Sequence, residues 1–281
     1  MSLSMDKIVV KAVVPPGTPA MAGDFLAARS GLSKSRIKDA MNKGAVWIQR
    51  KSGPLKRLRK ATALLSPGDR IEMHYDQGLL ALAPPRAECL KDEKHYSVWY
   101  KPSGLMAQGT MHGDHCSVMR QAEIFFQPRR EVFLVHRLDR EASGIMLLAH
   151  SRDAAARLSE LFRENRIKKE YRVEVLGNPA EEGKRSVIEL PLDGKTAVTE
   201  YEVVAYDPDS NTATAAVTIK TGRLHQIRRH FAMIGHPVIG DPRYGTGNKN
   251  TQGMKLIAVS LLFFCPFRKK EVAFTLPSGR R

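Results

Sequence analysis

Apolar residues recur along the chain with two different spacings, and the places where the spacing changes mark the element boundaries. Near the N-terminus, Phe25 and Leu26 lie in a short helical stretch that ends at Gly31, a residue suited to a left-handed cap. Ser33 then stands as the N-cap of a second helix, SKSRIKDAMNKG, in which Ile37 and Met41 share one face and Gly44 is the stop. AVWIQ and RIEMHY read as strands, the second announced by the turn SPGD. Residues 77–95 hold no sustained period, and Pro84-Pro85 stiffens them, so they read as a linker.

From SVWYKPSG onward strands and helices alternate. Ser151 is expected to cap a helix in which Ala154, Ala155, Leu158, Leu161 and Phe162 repeat at helical spacing. YRVEVL, AVTEYEVVAY and TATAAVTIK are strand-like, the last with Ala213, Ala215, Val217 and Ile219 on one face. HQIRRHFAMIG predicts a helix with Leu224, Ile227, Phe231 and Ile234 as its buried stripe and Gly235 as its end. Strands joined by hairpins as well as by helices imply an α+β fold built on a mixed, largely antiparallel sheet. The division expected is an N-terminal extension over 1–19, a small α+β domain over 20–76, the linker over 77–95 and a large domain over 96–281.

Composition leaves that picture ordinary and charge changes it. Of the 281 residues 42% are apolar, enough for a packed core, but the formal net charge is +16. Such a charge favours polyanionic partners, either nucleic acid or an acidic membrane surface. No apolar run approaches the roughly 20 residues of a spanning helix, and MSLSMDK lacks the apolar core of a secretory signal. Nucleic acid is therefore the stronger reading, with the cytoplasm as the expected location.

Cys89, Cys116 and Cys265 are odd in number and scattered, which suits neither a disulfide framework nor a zinc ribbon. His112, His115 and Cys116 in MHGDHC form one cluster with no second at ligand spacing, so a polar loop is expected and no metal. No glycine loop precedes a helix in the nucleotide-binding manner, and no cofactor is expected. Oligomeric state has no signature; a monomer is the default.

The basic charge is concentrated early. Between Arg29 and Lys60 only Asp39 opposes a series that includes Arg29, Lys34, Arg36, Lys38, Lys43, Arg57 and Arg59. Residues 20–76 resemble an S4-like RNA-binding domain in their basic helix pair, the Gly-Ala-Val turn into a strand and the closing Pro-Gly-Asp-Arg-Ile. Trp47 and the insertion KSGPLKRLRK depart from that pattern. The resemblance implies RNA contacts at Arg29, Lys34, Ser35, Arg36, Lys38 and Lys43. A solvated basic face without a partner is the alternative.

The segment with the clearest chemistry is VFLVHRLDREASGIMLLAH, Val132 to His150. Two apolar runs bracket a polar turn holding His136, Arg137, Asp139 and Arg140. A carboxylate beside arginines is favoured in its charged form and can serve as nucleophile or electrostatic stabiliser. Taken alone, the same residues describe a hairpin ion pair equally well. The whole string, HRLD with Ser-Gly and an apolar strand following, resembles the signature of RluA-type RNA pseudouridine synthases. Glu141-Ala142 stands where members usually carry Asp-Thr or similar.

Three further segments resemble the same family in the same order: WYKPSGLMAQ, RIKKEYRVEV and IKTGRLHQIRRHFAMIGHPVIGDPRYG. Ile257 departs from a histidine common in the family. The resemblance implies that Asp139 is the catalytic residue, that Tyr171 stacks on the extruded base, and that Arg223 pairs with Asp139. Arg137 is the candidate to fill the space the base vacates. The implied reaction converts uridine to pseudouridine with no redox change and no energy source. The implied partner is structured RNA, ribosomal before transfer. A non-catalytic RNA-binding or ribosome-assembly protein on the same scaffold stays open, whereas a metal-dependent nuclease lacks the necessary carboxylate cluster.

Overall fold

A computed structural model describes residues 7–17, 21–181, 183–245, 252–277 and 279. The chain divides into two compact units, one formed by residues 1–84 and 108–121, the other by 85–107 and 122–281.

In the first unit β1 (Lys7–Val13) is followed by α1 (Ala22–Ser30), α2 (Lys34–Asn42), β2 (Val46–Gln49), β3 (Lys56–Arg57), β4 (Arg70–Asp76) and the single turn α3 (Gln77–Leu80). The strands form one antiparallel sheet in the order β1-β4-β2-β3. Gly31, at φ 70°, closes α1, and the Ser33 hydroxyl accepts the Arg36 N–H to open α2, so both predicted caps are present. Phe25, Leu26, Ile37, Met41, Ile71 and Met73 fill the core between helices and sheet.

Two expectations change here. Residues 7–13, read as an extension, are a strand paired with β4 along its whole length; residues 1–6 of that extension lie outside the described ones. Arg57 and Arg59, read as part of a basic insertion, turn inward to Asp114.

The second unit contains β5 (Glu88–Asp92), β6 (Tyr96–Lys101), the second half of α4 (Val118–Phe125), β7 (Phe133–Leu134), β8 (Ser143–Ala149), α5 (Arg152–Arg163), β9 (Ile167–Leu176), β10 (Arg185–Ile188), β11 (Thr199–Asp207), β12 (Thr212–Ile219), α6 (Gln226–Met233), β13 (Leu256–Cys265) and β14 (Lys270–Thr275). They build a ten-stranded sheet whose main path runs β10-β11-β12-β9-β13-β8-β6-β5, with β14 on β13 and β7 on β8. All pairings are antiparallel except β13 with β8, so the fold is α+β with a mixed, mainly antiparallel sheet. β5 shows that the supposed linker already carries a strand of this sheet.

β8 is buried along all seven residues, as a central strand covered on both faces must be. Against it α5 lays Ala154, Leu158 and Leu161 beside Ile145, Leu147 and Ile167. Burying one such leucine contributes roughly 1.5–3 kcal/mol. At the start of β8, Gly144 has φ 122°, and a Cβ there would lie 2.3 Å from the Ala258 carbonyl oxygen. The Ser-Gly of the sequence motif is thus a place where two backbones meet too closely for a side chain.

Candidate active site

The loop between β7 and β8 carries His136, Arg137, Leu138, Asp139 and Arg140, and buried contacts hold its shape. Leu138 is buried. The His136 ring stacks on Phe162 at 4.1 Å, and its Nε2 accepts the Leu147 N–H at 2.9 Å. Burial, helped by nearby Lys169, pushes the His136 pKa down to about 3. His136 is therefore a neutral anchor of the loop.

The other side of the loop is fastened to the KPSG turn. Lys101 is fully buried, and its Nζ donates to the carbonyls of Leu105 (2.7 Å), Ala142 (2.6 Å), Pro102 (3.1 Å) and Arg140 (3.2 Å). The Ser103 hydroxyl donates to the Glu141 carbonyl at 2.6 Å, and the Gly104 N–H to the Arg140 carbonyl at 2.8 Å. Burial pushes Lys101 down to about 7, against the opposing pull of Glu141 and Asp139. The sequence resemblance marked this turn; its physical task, gripping three successive carbonyls behind Asp139, was not legible there.

Asp139 meets its arginine across the fold. Arg228, on α6, donates from Nη1 to Asp139 Oδ2 at 2.8 Å. Its Nε and Nη2 form a bidentate pair with Asp241 at 2.7 and 2.9 Å. Asp241 also accepts the backbone N–H groups of Arg243 and Tyr244 at 2.8 and 3.1 Å. Burial by itself would lower the Arg228 pKa, but hydrogen bonds and charge from Asp241 and Asp139 outweigh it and raise the value. For Asp241, burial works upward and is overcome by the Arg228 and backbone hydrogen bonds, so its carboxyl is held below the ordinary range.

This corrects the expectation for Arg223, whose Nε donates to the Thr196 carbonyl at 2.9 Å while its backbone N–H meets Gln226 Oε1. The sequence neighbours of Asp139 are not its partners either. Arg137 is exposed at the cavity, and Arg140 turns its Nε to the Gly104 carbonyl at 3.4 Å. The α6 stripe shifts accordingly: Ile227 and Phe231 are buried as expected, Leu224 is exposed, and Gln226, Arg228 and His230 complete the inner face.

A second arm reaches the other carboxylate oxygen. His225, in the left-handed region at φ 52°, places Nε2 3.6 Å from Asp139 Oδ1, while its Nδ1 meets the Tyr244 hydroxyl at 3.0 Å. Burial lowers the His225 pKa, with Asp139 pulling the other way.

These groups open on a cavity of about 540 Å³ lined by Asp139, Tyr171, Arg137, Arg223, His225, Arg228 and Lys169 among others. That is ample for one nucleoside. Tyr171 presents its ring from β9, and burial first, then the Asp139 charge, pushes its phenol up, so it is a neutral ring. The structure thus brings Asp139, Tyr171, Arg137 and Arg223 to one cavity, but gives the ion pair with Asp139 to Arg228. Among the described residues no three His, Cys, Asp or Glu side chains are grouped so as to hold a metal.

Comparison with known proteins agrees with this geometry. Residues 95–233 match the RNA pseudouridylate synthase family model. The dual-specificity RNA pseudouridine synthase RluA of Escherichia coli is 35% identical over 207 residues, covering 67% of this chain and 92% of the relative. An uncharacterised RNA pseudouridine synthase of Mycoplasma pneumoniae is 27% identical over 276 residues, covering 89% of this chain and 86% of its own. In fold, the chain resembles the human RNA pseudouridylate synthase domain containing 1, with TM-score 0.60 at 21% identity over 70% of this chain and 86% of that one. A carboxylate held by a buried arginine beside an aromatic ring, within a chain so related, places this protein in the RluA-type family of RNA pseudouridine synthases.

Proposed function

We propose that this enzyme converts a uridine of structured ribosomal RNA to pseudouridine, with Asp139 as its catalytic carboxylate. The observation that carries the reading is the Asp139–Arg228 pair. Asp241 fixes Arg228 from behind, so Arg228 fixes Asp139, whose other edge faces the cavity and Tyr171. A carboxylate oriented this way starts its reaction without reorganising its surroundings.

The chemistry asks three things of the chain. The target uridine must leave its stack, and Arg137, exposed beside Asp139, takes the vacated space. The extruded uracil needs a flat apolar surface, which the Tyr171 ring offers; base–aromatic stacking contributes roughly 1–3 kcal/mol. The freed base must then turn and rejoin the same ribose through C5, so the cavity must hold it while the glycosidic bond is open. Asp139 acts either on the ribose or on the pyrimidine ring.

Ribosomal RNA is favoured because the small unit sets exposed Arg29, Lys34, Ser35, Arg36 and Lys38 on its helix pair, in keeping with an S4-like domain docking on a large folded RNA. Lys43 is withdrawn from that set, since its Nζ meets Asp39 at 2.9 Å and the Leu80 carbonyl at 2.7 Å. A second reading, transfer RNA as an additional substrate, is supported by the dual specificity in the name of the Escherichia coli relative.

The test is pseudouridine mapping of total RNA from cells lacking this protein, complemented with wild type or Asp139→Asn. A ribosomal uridine modified only by wild type supports the reading. Modification confined to transfer RNA would replace the substrate, and an active Asp139→Asn would remove the assigned carboxylate.

A further inference from the structure

The inward-facing row of β9 reads Ile167, Lys169, Tyr171, Val173, Val175. Ile167, Val173 and Val175 are buried, as a sheet face turned to the core requires, and Lys169 is only 8% exposed among them. A cation in an apolar row ordinarily meets a carboxylate or several carbonyls, because its desolvation is otherwise uncompensated. Lys101, the other lysine buried among the described residues of this unit, meets four carbonyls. Lys169 has no hydrogen-bond or ion-pair partner among the described residues. Its side chain lines the same cavity as Asp139 and Tyr171. Burial lowers its pKa, as expected for an ammonium without a counter-ion.

We propose that Lys169 is a substrate-binding residue that donates a hydrogen bond to a carbonyl oxygen of the extruded uracil. The inference rests on the placement of that base on Tyr171, one pleat along the same face of β9. Its chemistry follows from where charge collects. If the bond from the ribose to N1 breaks first, its electron pair passes to the base and spreads onto the ring carbonyl oxygens. If a carboxylate adds to the ring first, the enolate formed puts its charge on a carbonyl oxygen as well. In either case the new bond forms from C5 to the ribose, C5 loses its proton, and N1 gains one. Lys169 stabilises the charged interval and itself keeps its proton. A cation aimed at charge that exists only during the reaction favours the transition state over the resting substrate.

A backbone phosphate is the competing occupant, and depth argues against it. The exposed guanidinium groups of Arg137 and Arg163 already line this cavity and suit a charged backbone kept in water. Lys169 lies behind them in the apolar row, where a flat neutral base is the better guest.

The experiment uses the full chain and total RNA from cells lacking this protein, reading single-turnover pseudouridine formation at sites that wild type modifies. Lys169→Met is expected to slow the rate at saturating enzyme by about 100-fold. Lys169→Arg should recover most of it. The salt dependence of the half-saturating enzyme concentration should stay that of wild type. Because no partner within the chain is lost, Lys169→Met should melt no lower than wild type.

Three outcomes overturn the proposal. One is an unchanged rate in Lys169→Met. Another is a defect confined to half-saturation, with the salt slope reduced by about one, which would assign Lys169 to a phosphate. The third is a melting temperature lowered by several degrees, which would make the lysine structural. A fully active Tyr171→Ala beside an impaired Lys169→Met would remove the stacking arrangement instead and keep the lysine contact.

Discussion

Asp114 in the small unit and Asp139 in the large one are both held by arginine, and of these two only Asp139 faces a cavity lined for chemistry. In the small unit Asp114 draws in Arg57, at 3.1 Å, and Arg59, both on the same oxygen. Those arginines direct their remaining N–H groups to carbonyls of Gly44, Thr110 and Asn42, and Arg57 lies over the Trp47 ring at 4.1 Å. The result is a closed knot that fastens residues 108–121 to the helix and hairpin of that unit. Among the described residues Asp139 pairs with one arginine, Arg228, which is itself fixed by another carboxylate. Its remaining oxygen has His225 at 3.6 Å and faces the cavity. An aspartate with arginines is therefore no site in itself. What separates the two is that two arginines close over Asp114 inside its unit, whereas a single arginine aims Asp139 and leaves its other oxygen at the cavity.

The sharpest way to break that comparison is to remove both carboxyl charges in turn. Asp139→Asn should lose about 10⁴-fold or more in single-turnover rate, the scale seen when an enzyme loses a principal reacting group, and should melt close to wild type. Asp114→Asn should do the reverse. It leaves two arginines facing a neutral amide, so a stability loss of about 3–5 kcal/mol is expected, with the rate at saturating enzyme retained below the new melting temperature. Chemical denaturation and single-turnover kinetics on both variants decide it. A stable but inactive Asp114→Asn would mean that the closed knot contributes to catalysis after all.

Arg228 combines the two behaviours. Arg228→Met should both disable the site and destabilise the fold, because Asp241 would stay buried without its partner. Arg223→Met, by contrast, should lower the rate by less than about tenfold, since its Nε is engaged with a backbone carbonyl away from Asp139. Equal losses in the two variants would restore Arg223 to the role the family resemblance implied.

That misassignment shows where sequence reading stops. That Asp139 and Tyr171 belong at one cavity is legible because each sits in a local string whose order and neighbours carry the pattern. The pairing of Asp139 with Arg228 spans 89 positions and depends on the rotation of α6, which no local string encodes. A signal existed in retrospect: Arg228 stands beside Ile227 in the buried stripe, and Asp241 follows in the turn that ends the same motif. β1 was missed because Val9 and Val13 face outward, so its alternation is blurred. β5 was missed because it is a half-buried strand at the sheet edge, with two charges in its last two residues. Lys101 and Lys169 look alike as letters. One meets four carbonyls and the other none, a distinction that tertiary packing alone creates.

A smaller effect follows from the neutral anchor behind Asp139. The folded chain holds His136 near 3, below the ordinary histidine value of about 6.5. Between those values the unfolded chain carries a proton that the folded one refuses, so stability should fall as pH drops from 6.5 toward 3. Above 6.5 neither state is protonated and His136 contributes no slope. His136→Gln keeps an acceptor for the Leu147 N–H without the titration, and its melting temperature should decline less steeply over that window. Parallel melting curves would show that His136 is charged in the native loop.

The smallest expected effect tests the small unit as an RNA surface, and it again contrasts a tied charge with a free one. Lys38 is exposed on α2, whereas Lys43, at the end of the same helix, is bound to Asp39 and to the Leu80 carbonyl. If α2 follows an RNA backbone, Lys38→Gln should weaken binding to ribosomal RNA fragments only a few-fold. It should also reduce the slope of log affinity against log salt by about one, because one fewer counterion is released. Lys43→Gln should leave the slope alone and lower the melting temperature slightly, since it loses bonds within the chain and no phosphate contact. Electrophoretic binding titrations at several salt concentrations separate the two. A reduced slope in Lys43→Gln with none in Lys38→Gln would move the RNA path off the exposed face of α2 and toward its end.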